Sequence, residues 1–310
     1  MNRRQERPRM KSTATSKTIR QVLGPLTKAI EPALAAALGG KCVPAPLAQA
    51  MRYAALDGGK RLRPAMVLLS AAAAADRVDW RMDPMPAAVA VELVHCYSLV
   101  HDDLPAMDDD SLRRGRATCH VKFGQAMAIL AGDALLTRAF EVLAQAPGDK
   151  TIIAELIAEL AGGGGPAGMI AGQVADMALC QVPDGEPGRR YIHMHKTAAL
   201  IRAAVRMGAI CAGADGAAIE ALTMFAEKVG LAFQIADDVL DATLPAEVLG
   251  KTPGKDAQSG KRTYATELPV EQARRQAERL TAEACEALEP LGERAGNLKT
   301  LAVSLVRRDR

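Results

Sequence analysis

Residues 85–116 read MPAAVAVELVHCYSLVHDDLPAMDDDSLRRGR. The stretch 85–101 is long and apolar and reads as a helix. It runs into Asp102, Asp103 and Asp108, and the pair Arg113-Arg114 follows. On a straight helix Asp102 and Asp108, six positions apart, would point about 240° away from each other. Pro105 lies between them, where it removes the donor to the carbonyl of His101 and disfavours helical geometry at Leu104. A local break there brings Asp108 back to the side of Asp102.

A second acidic group, Asp237-Asp238-Val239-Leu240-Asp241, comes much later in the chain. It ends a segment whose apolar residues (Leu222, Phe225, Ala226, Val229, Phe233, Ala236) recur at helical spacing. Asp237 and Asp241 then share one face, with Asp238 beside them. Carboxylates about 5 Å apart, at an effective dielectric near 20, repel by roughly 3 kcal/mol per pair. Protonation of one acid or a bound cation must offset that cost. Oxygen ligands of this kind suit a hard divalent ion, Mg²⁺ foremost.

The chain has 310 residues, 49% of them hydrophobic, which is ample for a core in one large domain or two. The formal charge of +3 conceals an asymmetry. Residues 1–20 carry Arg3, Arg4, Arg7, Arg9, Lys11, Lys17 and Arg20 against Glu6, so the rest of the chain is slightly acidic. That body has no basic bias that would indicate nucleic acid. A basic arm of this type is ordinarily solvated and disordered, and residues 1–17 are read so. No apolar segment follows its arginines as a signal peptide requires, and no run of 18 apolar residues offers a membrane span. Cys42, Cys96, Cys119, Cys180, Cys211 and Cys285 are scattered, without a CxxC pair. They read as reduced thiols of a cytoplasmic protein.

Helices are expected over 18–38, 44–56, 63–75, 85–101, 123–145, 150–160, 168–179, 190–211, 217–242, 268–288 and 298–307. Ala and Leu dominate and alternating β-branched runs are absent. The fold class is all-α, a bundle of roughly ten helices forming a single domain over residues 18–310. The glycines at 162–165 mark either a local unwinding or a point of close packing.

Four cationic motifs accompany the acids. GGKRLRP (58–64) sets three cations beside two glycines at a predicted helix start, a place suited to an anion. Arg113-Arg114, Lys196-Thr197 and the loop GKTPGKD (250–256) with Lys261 are the others. Any one alone would read as a solvated face. Together with two carboxylate groups they point to two polyanionic ligands, one of them bridged by metal.

With FQIADDVLD (233–241), GMIAGQ (168–173) and HKT (195–197), these motifs give the chain its resemblance to the trans-prenyltransferases of the polyprenyl diphosphate synthase family. The likeness runs from Ile19 to the C-terminus. The Pro105-Ala106 insertion is most similar to the bacterial farnesyl diphosphate branch. The resemblance implies an isoprenoid synthase-type bundle around a central cavity, a homodimer, and about three Mg²⁺ per site to neutralise a leaving diphosphate.

It implies residue roles as well. Asp102 and Asp108, supported by Asp103, and Asp237, assisted by Asp238 and Asp241, would hold the metal. Arg113, Lys196, Lys251 and Lys261 would contact the allylic diphosphate. Lys60, Arg63, His95 and Arg114 would grip isopentenyl diphosphate. Thr197 and Gln234 would line the place where allylic cation charge develops. Tyr97 and Ser98, five and four residues before Asp102, would form the floor that limits product length, an aromatic ring there stopping growth at C15. Apart from the resemblance, Gln173 and Asp176, four and seven residues after Met169, read as supports of the metal site, and His101, His120 and His193 read as structural. The chain departs from the pattern at Ala242-Thr243-Leu244-Pro245, where the family often has Gly-Asp.

The rival readings are a C20 synthase, a terpene cyclase, which has no need of the isopentenyl set, and a non-catalytic regulatory subunit. Members of the last class tend to have lost one of the acidic groups.

Overall fold

The structure is a computed structural model and describes residues 13–40, 42–56, 58–75, 80–243 and 268–307, with side chains from Ile19 onward. Lys251, Lys255 and Lys261 lie outside the described residues, as do residues 1–12 of the basic arm. The described residues are mainly helical. In chain order they form α1 (Thr13–Ala37), α2 (Ala45–Leu56), α3 (Leu62–Ala74) and α4 (Met85–Asp102). A small hairpin follows, β1 (Leu112–Arg113) with β2 (Arg116–Ala117), then α5 (Cys119–Phe123), α6 (Gln125–Ala144), α7 (Lys150–Gly164) and α8 (Met169–Asp176). α9 (Glu186–His193) joins α10 (Ala199–Ala212) through a π-helical turn, Met194–Ala198. α11 (Gly216–Thr243), α12 (Val270–Ala287), a 3₁₀ turn (Glu289–Ala295) and α13 (Gly296–Val306) complete it.

α4 runs through the core. Ala87, Ala88, Val89, Ala90, Val91, Leu93 and Val94 are all buried, so the helix is covered on every side by α3, α6, α7 and α10. Alanine makes this possible, since small side chains let neighbouring helices approach without leaving voids. α10 in turn packs on α3, α7 and α11, and α11 lies along α12. The acids therefore stand at the ends of two helices whose positions the core dictates.

The glycines at 162–165 are a packing point. α7 stays helical through Gly164, and a Cβ on Gly163 would lie 2.5 Å from Ala203 Cβ and 2.9 Å from Ala199 O. α7 and α10 thus meet nearly backbone to backbone.

Two expected helices are interrupted. The one over 123–145 breaks at Gly124, whose φ of 84° separates α5 from α6. The one over 190–211 contains the π turn, a local widening that periodicity in the sequence does not reveal.

Candidate active site

α4 ends where Pro105 requires it to. The chain then curls back: Asp108 N donates to Asp102 O at 2.8 Å and Asp110 N to Asp103 O at 3.2 Å. The expected break is present, and it brings the charge of Asp108 close enough to act on Asp102. Burial pushes the Asp102 carboxyl above its ordinary range, while Lys196 and a hydrogen bond from Gln173 oppose the rise. Asp103 is buried too, and Arg113 holds it with Nε and Nη2, the latter 2.6 Å from Oδ1. Burial works against the Arg113 cation, but the bonds to Asp103 outweigh it and raise its pKa. In the protein alone, Arg113 is thus Asp103's partner.

α8 and the π turn connect the two acidic groups. Gln173 Nε2 donates to Asp102 Oδ1 at 2.6 Å, and Lys196 Nζ reaches Asp176 Oδ2 at 2.6 Å. This contact depends on Gly172, since a Cβ there would sit 2.0 Å from the backbone nitrogen of Lys196. From the same turn Thr197 Oγ1 donates to Gln234 Oε1 at 2.7 Å, and Gln234 Nε2 donates to Asp238 Oδ1 at 3.0 Å. α8 thus holds Asp102 through Gln173, and the π turn reaches α8 through Lys196 and Asp238 through Thr197 and Gln234. The π turn places Lys196 and Thr197 toward different acidic groups although they are adjacent in sequence.

On α11 the three acids differ. Asp238 is buried, Asp237 half-buried and Asp241 exposed. Asp238 also lies 3.6 Å from His193 Nε2. Burial, then the charge of Lys196 and Arg189 against that of Asp176, pushes His193 down to about 4. The sequence alone offered no reason to assign His193 to the site, because its partner is over forty residues away.

A separate cationic group lies beside these acids. Arg63 from α3, His95 from α4 and Arg114 from the hairpin turn act on one another electrostatically. Burial, then the charges of Arg63 and Arg114, pushes the His95 imidazole well below its usual range, so it is neutral. Arg63 Nε is buried without a hydrogen-bond partner. Arg63 also feels the charge of Asp237, which puts the cationic group next to the second acidic one. Arg114 sits at φ 54° in the hairpin turn and donates to Gly58 O, joining the hairpin to the GGKRLRP loop. Lys60 is exposed on that loop, whereas Arg61 turns inward, away from any ligand.

Tyr97 is 5% exposed, with its ring edge-on to His101 at 5.7 Å between centroids and its hydroxyl near Gly164 O. Ser98 is buried and donates to His95 O at 2.9 Å. His101 approaches Ile129 O at 3.1 Å, and His120 pairs with Thr118 at 3.1 Å, near enough to Asp103 for its charge to act on that carboxyl. A pocket of about 300 Å³ lined by Glu159, Arg202, Arg206 and Thr223 includes none of the expected site residues.

The residue types fit magnesium: Asp102, Asp108 and Asp237 present hard carboxylate oxygens, and Asp102 carries a burial cost that a cation would relieve. Among the described residues no three His, Cys, Asp or Glu side chains converge to hold a metal ion by themselves. Ions here need further oxygen ligands, as a bound diphosphate would supply.

Residues 44–292 match the polyprenyl synthetase family. The chain belongs to that family. It is 47% identical over 273 residues to a farnesyl diphosphate synthase of Escherichia coli, covering 86% of this chain and 90% of that one. It is 44% identical over 270 residues to a chloroplastic geranylgeranyl pyrophosphate synthase of Catharanthus roseus, covering 86% and 75% respectively. The crystal structure of a geranyltransferase from Helicobacter pylori, complexed with magnesium and isoprenyl diphosphate, superimposes with a TM-score of 0.78 at 34% identity, covering 92% of this chain and 97% of that one. The all-α architecture expected of this polyprenyl synthetase is the one observed. No helix among its described residues is long and apolar enough to cross a membrane.

Proposed function

We propose that this polyprenyl synthetase condenses isopentenyl diphosphate with dimethylallyl and then geranyl diphosphate, and releases farnesyl diphosphate. The observation that carries this reading is the pairing of two unlike anion sites. Arg63, His95 and Arg114 form a site rich in cationic donors, suited to a diphosphate without metal. Asp102, Asp108 and Asp237 are proposed to form a second, acid-lined site, suited to a diphosphate that arrives with its ions; Asp237 is the one whose charge reaches Arg63. A terpene cyclase would need only the second. A silent regulatory subunit would have no need of either in working order.

Asp102, Asp103, Asp108, Asp237, Asp238 and Asp241 are proposed to hold about three Mg²⁺ together with the allylic diphosphate, whose leaving charge the ions neutralise when bound. Lys196 would release Asp176 to contact that diphosphate, and Arg113 would reach it while still braced by Asp103. Lys251 and Lys261 are proposed to contribute from the segment outside the described residues. Thr197 and Gln234, hydrogen-bonded to each other, are proposed to line the place where the allylic carbon becomes positive. Lys60, Arg63, His95 and Arg114 hold the second substrate so that its double bond faces that carbon, a positioning role that needs no protein nucleophile. The allylic carbon–oxygen bond would break first to leave an allylic cation. The double bond of isopentenyl diphosphate would attack it to form the new carbon–carbon bond, and the released diphosphate would take the proton that the isopentenyl unit then loses. Tyr97 and Ser98 are proposed as the floor that stops growth at C15.

A homodimer follows the family resemblance; residues 18–310 as one domain and the basic arm as a solvated tail follow the helical pattern and the charge of the sequence, although α1 already begins at Thr13, within the arm. The six unpaired cysteines accord with a reducing, cytoplasmic setting.

Turnover of purified protein should be measured with allylic diphosphate alone and with isopentenyl diphosphate added, following diphosphate release and product length. Release and C15 product only with both substrates are expected. Release with allylic substrate alone would make the protein a cyclase, and no release in either arm would remove it from catalysis.

A further inference from the structure

Lys60-Arg61-Leu62-Arg63 sets three cations in four residues, and the structure separates them. Lys60 is exposed, Arg63 faces His95, and Arg61 points into the core. Arg61 caps α3 with a left-handed backbone, φ 47° and ψ 41°. Side chains other than glycine adopt that region rarely, and keep it only when their surroundings impose it. Here a buried ion pair does so. Arg61 Nη1 donates to Glu92 Oε1 at 2.7 Å, and Nε donates to Glu31 Oε1 at 2.7 Å.

The Arg61 side chain is fully enclosed and that of Glu92 is 2% exposed, whereas Glu31 is partly exposed. Arg61 Nη2 and Glu92 Oε2 have no hydrogen-bond partners. An incompletely satisfied buried pair adds little stability compared with apolar residues of similar volume. Its worth must lie elsewhere. Glu92 is one helical turn before His95, and its charge favours the Arg63 cation, which Arg114 opposes. Arg63 keeps Nε unpartnered inside the protein.

Building on the reading of Lys60, Arg63, His95 and Arg114 as the metal-free diphosphate site, we propose that Arg61 and Glu92 are positioning residues for it. Their pair fixes the left-handed turn that sends Lys60 and Arg63 to the ligand side. Glu92 adds a buried negative charge that lets Arg63 and Arg114 stand close together before substrate arrives.

The test uses the full chain, Arg61→Lys, Glu92→Gln and the double variant Arg61→Met with Glu92→Met. Chelator removes the ions through which the acid-lined site would take diphosphate, so calorimetric titration with inorganic diphosphate reads chiefly the cationic site. The double variant should melt at or above the native temperature, because apolar replacement of a buried pair is commonly neutral or better. It should nevertheless bind diphosphate at least tenfold more weakly. In steady state its KM for isopentenyl diphosphate should rise at least tenfold, and that for geranyl diphosphate should stay within twofold. Arg61→Lys should recover part of the loss, and Glu92→Gln should weaken diphosphate binding severalfold. A double variant with native diphosphate affinity, or one that weakens both substrates equally, overturns the inference. Wild-type protein that binds diphosphate in chelator yet never turns over isopentenyl diphosphate would remove the functional reading, and the titration of the variants would still judge this one.

Discussion

Replacing Tyr97 with alanine should lengthen the product from C15 to C20. The ring lies about 7.5 Å along α4 from Asp102, five residues at the helical rise. It leaves the helix about 140° around from that acid and extends toward Gly164 on α7. Burial, with the charge of Asp102 nearby, pushes its phenol up to about 12, so the hydroxyl remains protonated. Its hydrogen bond to Gly164 O is long, 3.5 Å, so most of what is lost on truncation is packing. Removing a buried aromatic ring costs about 3–5 kcal/mol of stability, a large part of a typical total. The vacated space suits one more isoprene unit, whose five carbons gain roughly 4 kcal/mol on burial. That corresponds to about a thousandfold preference for seating the longer chain. The assay is chromatography of dephosphorylated products made from labelled isopentenyl diphosphate, with a thermal melt on the same sample. Tyr97→Leu, which leaves a smaller void, provides a variant more certain to fold. A cooperatively folded Tyr97→Ala protein that still stops at C15 would refute the floor assignment and shift attention to Ser98, which lies four residues from Asp102 on the same helical stripe.

Asp102→Asn should raise the melting temperature of metal-free protein, because burial disfavours the charged form there, and should abolish the stabilisation that Mg²⁺ with diphosphate confers; a lower metal-free melt counts against it. Gln173→Ala removes the 2.6 Å anchor of that same carboxylate and should lower kcat/KM about tenfold, equivalent to about 1.4 kcal/mol, with little change in the isopentenyl KM. His193 is predicted to make stability pH-dependent. Its folded pKa, about 4, lies below its unfolded value, so the unfolded chain takes up the proton first. Stability should be complete above about pH 6.5 and fall toward pH 4 by at most about 1.4 kcal/mol per unit. Urea melts at several pH values check this, and an unchanged slope in His193→Gln would show that another group is responsible.

The helical class, the break at Pro105 and the pairing of acids with cations were legible along the chain because each rests on local rules: periodicity, proline stereochemistry and like-charge repulsion. Gln173 and Asp176 were legible as supports through their spacing, four and seven residues after Met169, although their partners were not. Arg61 looked like one of three equivalent cations. A lone acid such as Glu92 in an apolar helix does call for a buried partner, but nothing in the residue order names it. The π turn at Met194–Ala198 left no trace in the apolar spacing, and the close approach of Gly172 to Lys196, with the pull of Asp176, accounts for where that lysine points.

Composition and short-range pattern by themselves settled that this chain is a helical protein with acidic and basic groups suited to diphosphates and hard ions. Side-chain direction was decided by the packed molecule alone. Whether Arg61 faces a ligand or the core, and whether Asp238 meets His193 and Gln234 meets Thr197, depends on contacts between elements distant in sequence, and such contacts exist only once the core has set the helices against each other.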